Sequence, residues 1–157
     1  MLSLKFIFFI SAIVIVAETC TCPEESPHVS YCKADWVAHV KLEMIEGISN
    51  ASPDGREVYK LKFKVSFITV YKAPTELNGN LPNEIQDIGT NLDCSIQPEG
   101  GKEYLLTGTY ENGVLKISMC EQLQLNYPMN FKASDFEWNN IRDGFKYFLT
   151  LKKNKPC

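Results

Sequence analysis

The clearest structural pattern in the sequence is EVYKLKFKVSFITVYK, residues 57–72. Apolar and polar side chains alternate through its middle, which is the period of an extended chain with one face buried and the other in water. The apolar face carries Leu61, Phe63, Val65 and Phe67, and the polar face carries Lys60, Lys62, Lys64 and Ser66. We therefore predict a half-buried β-strand of unusual length at residues 57–72.

Four further segments have the composition and alternation of strands. They are Trp36–Ile45, Glu84–Ile88, Tyr104–Tyr110 and Val114–Met119. The first of them forms a hairpin with the long strand across a polar loop at residues 52–55, and the last two flank Asn112-Gly113, a favoured tight-turn pair. Five strands without alternating helices predict a small, closed or nearly closed antiparallel barrel.

The C-terminal part of the sequence changes to helical spacing. Ser134-Asp135-Phe136-Glu137 has the Ser-x-x-Glu form of a capping box, which predicts the start of a helix. Apolar residues then recur at Phe136, Ile141, Phe145, and Phe148 or Leu149. This stripe predicts a helix packed against the barrel, and Gly144 is expected to break or bend it.

Residues 1–19 are predicted to be a secretory signal peptide. Lys5 precedes an apolar run from Phe6 to Val16, which is shorter than the ~20 residues that cross a bilayer. That length disfavours the alternative, a short membrane anchor. Cleavage after Thr19 leaves residues 20–157, the size of one domain.

All six cysteines follow this signal, at positions 20, 22, 32, 94, 120 and 157. An even number in an exported chain predicts three disulfides rather than free thiols or a metal site, although the spacing leaves the pairing open. The chain has no Cys-x-x-Cys pair, and its only histidines are His28 and His39. A zinc site of its own is therefore disfavoured.

Charge and motifs argue against several functional classes. The net charge is −3 and the only concentrated basic stretch, at Lys152, Lys153 and Lys155, is expected to be a solvated chain end. Neither nucleic acid nor a membrane surface is an expected partner, since both require a clustered basic face. No G-x-S-x-G, H-E-x-x-H or glycine-rich phosphate motif is present. We expect a monomer that is not an enzyme and has no cofactor of its own.

The segment Cys20-Thr21-Cys22 is more informative than any of these. Side chains two residues apart in an extended chain point the same way. Both cysteines can therefore bridge into the body of the protein while Thr21 faces outward. A redox-active Cys-x-Cys pair is the alternative, but it would need two accessible, activated thiols, and the even cysteine count favours structural bridges.

With these features the sequence resembles the N-terminal, inhibitory domain of the tissue inhibitors of metalloproteinases. The matching motifs are Cys20-Thr21-Cys22; Cys32 with Asp35, Val37 and Lys41; Val70-Tyr71-Lys72; Leu105-Leu106-Thr107-Gly108; Asn112-Gly113-Val114-Leu115 with Ile117 and Cys120; and Arg142-Asp143-Gly144-Phe145. The resemblance implies a mainly β fold, a five-stranded OB-type barrel with flanking helices, also called a netrin-like module. It also implies the disulfides Cys20–Cys94, Cys22–Cys120 and Cys32–Cys157.

The same resemblance implies a secreted, extracellular inhibitor whose partners are zinc metalloproteinases of the matrix-degrading type. The free amine and the carbonyl of Cys20 would chelate the catalytic zinc of the target, so zinc is shared with the partner. Thr21 would enter the specificity pocket, with Cys22 and Pro23 bound beside it. Asn91, Leu92 and Asp93, which precede Cys94, would form a second contact ridge.

The sequence departs from the family in two respects. Pro23-Glu24 stand where the family has a small or apolar residue followed by proline, which is expected to affect affinity or target choice. The sequence stops at Cys157, so we do not expect the smaller C-terminal domain of vertebrate members or its binding of proenzymes.

Two further points concern processing. Asn50-Ala51-Ser52 is a glycosylation sequon in the first hairpin. Signal cleavage after Ala17 would leave two residues ahead of Cys20 and acylate its amine. That outcome would favour the alternative function, a netrin-like module that binds another extracellular partner.

Overall fold

The computed structural model describes residues 22–51, 57–89, 94–125, 132–154 and 157. The helices and strands are α1 (Pro27–Lys33), β1 (Trp36–Ala51), β2 (Glu57–Lys72), β3 (Glu84–Asp87), β4 (Glu103–Glu111), β5 (Val114–Ile117) and α2 (Asp143–Asn154). Short 3-10 turns lie at Thr75–Leu77, Met119–Glu121, Ala133–Phe136 and Trp138–Asn140.

The five strands close into a barrel in the order β1-β2-β3-β5-β4, with β4 pairing back onto β1. The predicted mainly β, five-stranded barrel with flanking helices is confirmed. One detail differs from an all-antiparallel arrangement, because β3 and β5 run parallel. Parallel neighbours need a long connection between them, and here that connection contains the whole of β4.

The long β1–β2 hairpin forms one side of the barrel, and β2 has the bounds predicted for it. Phe63 and Val65 are buried, whereas Lys60 and Lys64 are exposed, as the alternation predicts. Strand β1 is longer than predicted and continues to Ala51, so Asn50 lies in the strand, paired with Val58, rather than in the hairpin loop.

The β4–β5 connection is the tight turn that its sequence predicts. Asn112 and Gly113 both adopt positive φ, 53° and 83°, which asparagine and glycine tolerate best. Gly108 in β4 is needed for a different reason, because an added Cβ would lie 1.8 Å from the Lys116 carbonyl oxygen of β5. The two strands therefore meet at a distance that only glycine allows.

The predicted capping box at Ser134–Glu137 is wrong. Asp135, rather than Glu137, is the acid that accepts the backbone N–H three residues before it, that of Lys132 at 3.0 Å, and the chain makes 3-10 turns until α2 begins at Asp143. The Glu137 carboxylate accepts instead from Lys102 Nζ, at 2.9 Å. Gly144 consequently lies in the first turn of α2 and not in its middle, where it was expected to bend the helix.

The predicted apolar stripe nevertheless packs on the barrel. Phe136, Ile141 and Leu149 are buried in the core, and Phe145 and Phe148 are half-buried against it. Since the C-terminal segment covers the outside of β1 and β4, several residues on both faces of these strands are buried. They include Val37, Ala38, His39, Val40, Leu105 and Leu106.

Trp138 makes the closest aromatic contact between the C-terminal segment and the barrel. Its ring stacks on His39 of β1 with centroids 3.8 Å apart, and Lys146 Nζ lies 4.8 Å from the indole ring. His39 Nε2 is 2.8 Å from Glu103 Oε2. Burial lowers the pKa of His39 despite this carboxylate neighbour, which favours the neutral imidazole.

Candidate functional site

Cys22 is covalently bonded to a residue that follows the last strand of the barrel. Its disulfide with Cys120 joins positions 98 residues apart, and Cys120 lies in the 3-10 turn just after β5. A second disulfide joins Cys32 of α1 to Cys157. These are two of the three pairings that the resemblance implies. Cys94 is also disulfide-bonded, while its implied partner Cys20, and Thr21, lie outside the described residues.

The residues after Cys22 are held by one side chain of the opposite segment. Gln124 Nε2 donates to the Pro23 carbonyl at 2.6 Å, and Gln124 Oε1 accepts from the Glu25 N–H at 3.0 Å. The Glu25 carboxylate also pairs with Lys33 of α1, and Glu24 is exposed. The chain from Cys22 to Glu25 is therefore attached at three successive points.

Helix α1 follows directly and was not predicted from the residues themselves. Ser26 caps it by accepting the Val29 N–H at 3.3 Å, and Pro27 occupies its first turn. A capping serine followed by proline is a helix-start signal that the sequence carried.

The other end of α1 is closed by Lys72 of β2. Its Nζ donates to the carbonyls of Tyr31 (3.1 Å), Cys32 (2.9 Å) and Ala34. Burial lowers the pKa of this amine. Because the last carbonyls of a helix otherwise lack partners, Lys72 fixes α1, and with it Cys32, against the barrel.

The two described ends of the loop after β3 are held together by a buried carboxylate. Asp87 is 2% exposed, and its two oxygens accept the N–H groups of Gly89 at 2.8 Å and Ile96 at 2.7 Å. An added Cβ on Gly89 would lie 2.6 Å from Ser95 Oγ, so the two ends of the loop are in contact. Asp87 thereby sets the position of Cys94. The intervening Asn91, Leu92 and Asp93 lie outside the described residues.

Burial also acts on Glu121, next to the half-cystine Cys120. It raises the pKa of the Glu121 carboxyl, to which Glu111 and Asp35 add negative potential. Within the described part of the chain, its Oε2 is buried without a hydrogen-bond partner. Sequence reasoning did not find this acid, since nothing in the local pattern distinguishes it from a surface glutamate.

The sequence profile of the family described as "Tissue inhibitor of metalloproteinase" matches residues 18–129. This range covers most of the chain, including Cys20-Thr21-Cys22 and all five strands. The chain belongs to the tissue inhibitor of metalloproteinase family. Members of this family are inhibitors and not enzymes, and membership indicates metalloproteinase inhibition in general.

One relative extends the similarity over nearly the whole chain. It is a Caenorhabditis elegans protein named "Putative metalloproteinase inhibitor tag-225", 31% identical over 148 residues. The match covers 89% of this chain and 90% of the relative.

The structure describes only part of the set of site residues that the family resemblance suggested. Cys22 and Pro23 belong to residues 22–25, the segment attached to Gln124 and Cys120, which we call the terminal segment. Cys94 follows the loop whose two ends Asp87 holds together. Asp87, which binds the nearby Gly89 and Ile96 N–H groups, was not predicted as part of this region. Nor were Gln124 and Lys72, because each binds backbone groups distant in sequence. Such contacts leave no local motif.

The only grouping of potential metal ligands among the described residues consists of His28, Cys32 and Cys157. Both sulfurs belong to one disulfide, and it is thiolates that bind metals. The donor set therefore does not fit a metal ion. Among the described residues, no helix is long and apolar enough to cross a membrane.

Proposed function

We propose that this family member is a secreted inhibitor of matrix-degrading zinc metalloproteinases that acts through its processed N-terminus. Removal of residues 1–19 would expose the α-amino group of Cys20 to the extracellular space. The observation that carries the proposal is the attachment of Cys22, through its bridge to Cys120 and the contacts of Pro23 and Glu25, in a chain of this family.

The chemistry follows from the needs of a catalytic zinc ion. Such an ion keeps one coordination position open for water or substrate. The amine nitrogen and carbonyl oxygen of Cys20 can close a five-membered chelate on it and displace the water. An α-amino group has a pKa of about 7.7–8.0, so releasing its proton to solvent when the nitrogen binds the metal costs little near neutral pH.

Rigidity distinguishes such a terminus from an ordinary peptide product. Thr21 would occupy the pocket beside the zinc, but no bond is present there to cut. Fixing the segment before binding lowers the ordering cost of the complex. The proposed Cys20–Cys94 bridge is supported by the disulfide state of Cys94, because Cys22, Cys32, Cys120 and Cys157 already pair among themselves. It would place Asn91, Leu92 and Asp93 beside the terminus as a second contact ridge.

The proposal is tested by titrating the purified secreted protein against a panel of matrix-degrading metalloproteinases. We expect stoichiometric, reversible inhibition of at least some members. N-terminal sequencing of the same material should begin at Cys20. A chain that starts at Glu18, or one that inhibits no metalloproteinase, would contradict the proposal and favour a netrin-like binding module.

A further inference from the structure

The Gln124 carboxamide makes two hydrogen bonds to the terminal segment, residues 22–25. Its Nε2 donates to the Pro23 carbonyl and its Oε1 accepts from the Glu25 N–H, two residues further on. A neighbouring parallel strand would present the same pair, one donor and one acceptor, to residues i and i+2. Gln124 therefore gives the terminal segment the pairing of a strand, although none of the five described strands pairs with it.

Gln124 itself projects from a segment that is tightly bound to the barrel. Its neighbours Leu123 and Leu125 are buried, and Arg142 Nη2 donates to the Leu125 carbonyl at 3.1 Å. Gln122 makes a similar two-point contact with β4, accepting the Thr107 N–H at 3.1 Å and donating to the Thr107 carbonyl at 2.7 Å. Two glutamines thus connect the core strand β4 to the terminal segment.

The rest of the segment is restrained at each side of this contact. Cys22 is bound to Cys120, the Pro23 ring limits its own φ, and Ser26 caps α1. Without Gln124, the peptide groups between Pro23 and Glu25 would have no described hydrogen bond to the 120–125 segment. The Gln124 contacts act directly on the backbone of the residues that follow Cys22.

We infer that Gln124 is a positioning residue for the inhibitory terminus, acting through the backbone of Pro23 and Glu25 to set the direction of the chain at Cys22. This inference rests on the proposed function. Gln124 does not touch the target's zinc in this account. Its part is to hold the segment in the binding-competent geometry before the enzyme arrives, which reduces the ordering cost of the complex.

The test compares Gln124→Leu and Gln124→Glu with the wild-type secreted protein. Leucine removes both hydrogen bonds, whereas glutamate keeps the acceptor for Glu25 and places a carboxylate oxygen against the Pro23 carbonyl. We expect the inhibition constant to rise about tenfold for Gln124→Leu, equivalent to about 1.4 kcal/mol, and by a smaller factor for Gln124→Glu. Hydrogen exchange should show lost protection of the Glu25 amide and unchanged protection in β1, β2 and β4.

Asn140→Leu is the matched control. The Asn140 carboxamide also donates to a backbone carbonyl, that of Ser134 at 2.8 Å, but outside the terminal segment. Its inhibition constant should equal that of the wild type. Wild-type inhibition by Gln124→Leu despite an unprotected Glu25 amide would overturn the inference, as would a parallel loss of protection across the barrel. A wild-type protein without inhibitory activity would instead refute the proposed function, and the role of Gln124 with it.

Discussion

Thr21 is the one residue of Cys20-Thr21-Cys22 whose side chain is not committed to a disulfide in the proposed arrangement. Thr21→Gly should weaken inhibition of proteinases with deep specificity pockets by about tenfold or more, because it removes the apolar contact made there. Thr21→Val, which keeps the branched shape, serves as the control and should retain inhibition. Equal inhibition constants for Thr21→Gly and wild type across a panel of proteinases would contradict this orientation.

Asp87 allows a test of whether burial or hydrogen bonding has the larger effect on the pKa of a buried carboxyl group. Burial raises its pKa, whereas the N–H groups of Gly89 and Ile96 lower it by a smaller amount. The folded state then binds a proton more readily than the unfolded chain. The contribution of this carboxyl to stability is complete below its unfolded pKa and is lost as the pH rises through its folded pKa.

Asp87→Asn does not titrate and serves as the reference for the wild type. As the pH falls from neutral towards the ordinary aspartate pKa of about 3.9, the wild type should gain stability relative to Asp87→Asn. Urea unfolding of both proteins over this range measures the difference, in which the other titrating groups cancel. The opposite slope would mean that the two backbone hydrogen bonds outweigh burial.

At the level of single residues, the sequence predicted the half-cystines and the alternation of β2 but not the groups that fix the site. The burial of Phe63 and the exposure of Lys64 could be predicted, because burial alternates between adjacent positions of a half-buried strand. Asp87 binds N–H groups 2 and 9 residues away. Gln124 binds backbone atoms 99 and 101 residues away, and Lys72 binds carbonyls 38 to 41 residues away. Only the folded chain brings the partners of Gln124 and Lys72 together.

For the C-terminal segment, the packing of the apolar residues was predicted correctly, but the start of the helix was not. Its apolar residues do pack on the barrel, but through two 3-10 turns before α2. Ser134–Glu137 satisfied the capping pattern locally, yet Glu137 pairs with Tyr104 of β4 and with Lys102. Tertiary partners of Glu137 therefore replaced the local cap. Nothing in the sequence of the four residues indicates that these partners are present.

Trp138 is the residue on which the packing of this element can be tested. Trp138→Ala removes the stack on His39 and should destabilise the protein by about 3 kcal/mol, the lower end for a large aromatic, because Trp138 is only half-buried. Hydrogen exchange in α2 should accelerate more than in the barrel. Tyr147→Ala, on the same segment but 65% exposed, is the control and should stay within about 0.5 kcal/mol of wild type. Equal effects of the two substitutions would contradict the packing described.

For the whole molecule, the barrel was predictable because five alternating segments and one Asn-Gly turn leave few ways to bury the apolar faces. Its parallel β3–β5 pair was not predicted, since strand direction at that seam depends on where the connection through β4 places the chain. The approach of Gly108 to Lys116 belongs to the β4–β5 hairpin, where Thr109 pairs with Lys116. The parallel pair has no signature within one strand.

The two described disulfides should contribute differently to inhibition. Removing Cys32–Cys157 with paired serine substitutions should cost about 4 kcal/mol, because that bridge joins positions 125 residues apart. Inhibition should persist wherever the variant remains folded. Removing Cys22–Cys120 in the same way should raise the inhibition constant even under conditions where the protein is folded. Equal losses of inhibition in the two variants, measured below both melting temperatures, would show that the terminal bridge has no special part.

The most direct test of the account adds a single alanine in front of Cys20. The added peptide bond removes the free amine that is proposed to bind the target's zinc, yet it leaves every described contact of the barrel in place. We predict that the extended protein has the circular dichroism spectrum and unfolding transition of the wild type but no longer inhibits metalloproteinases. Undiminished inhibition by the extended protein would contradict the proposed chelate.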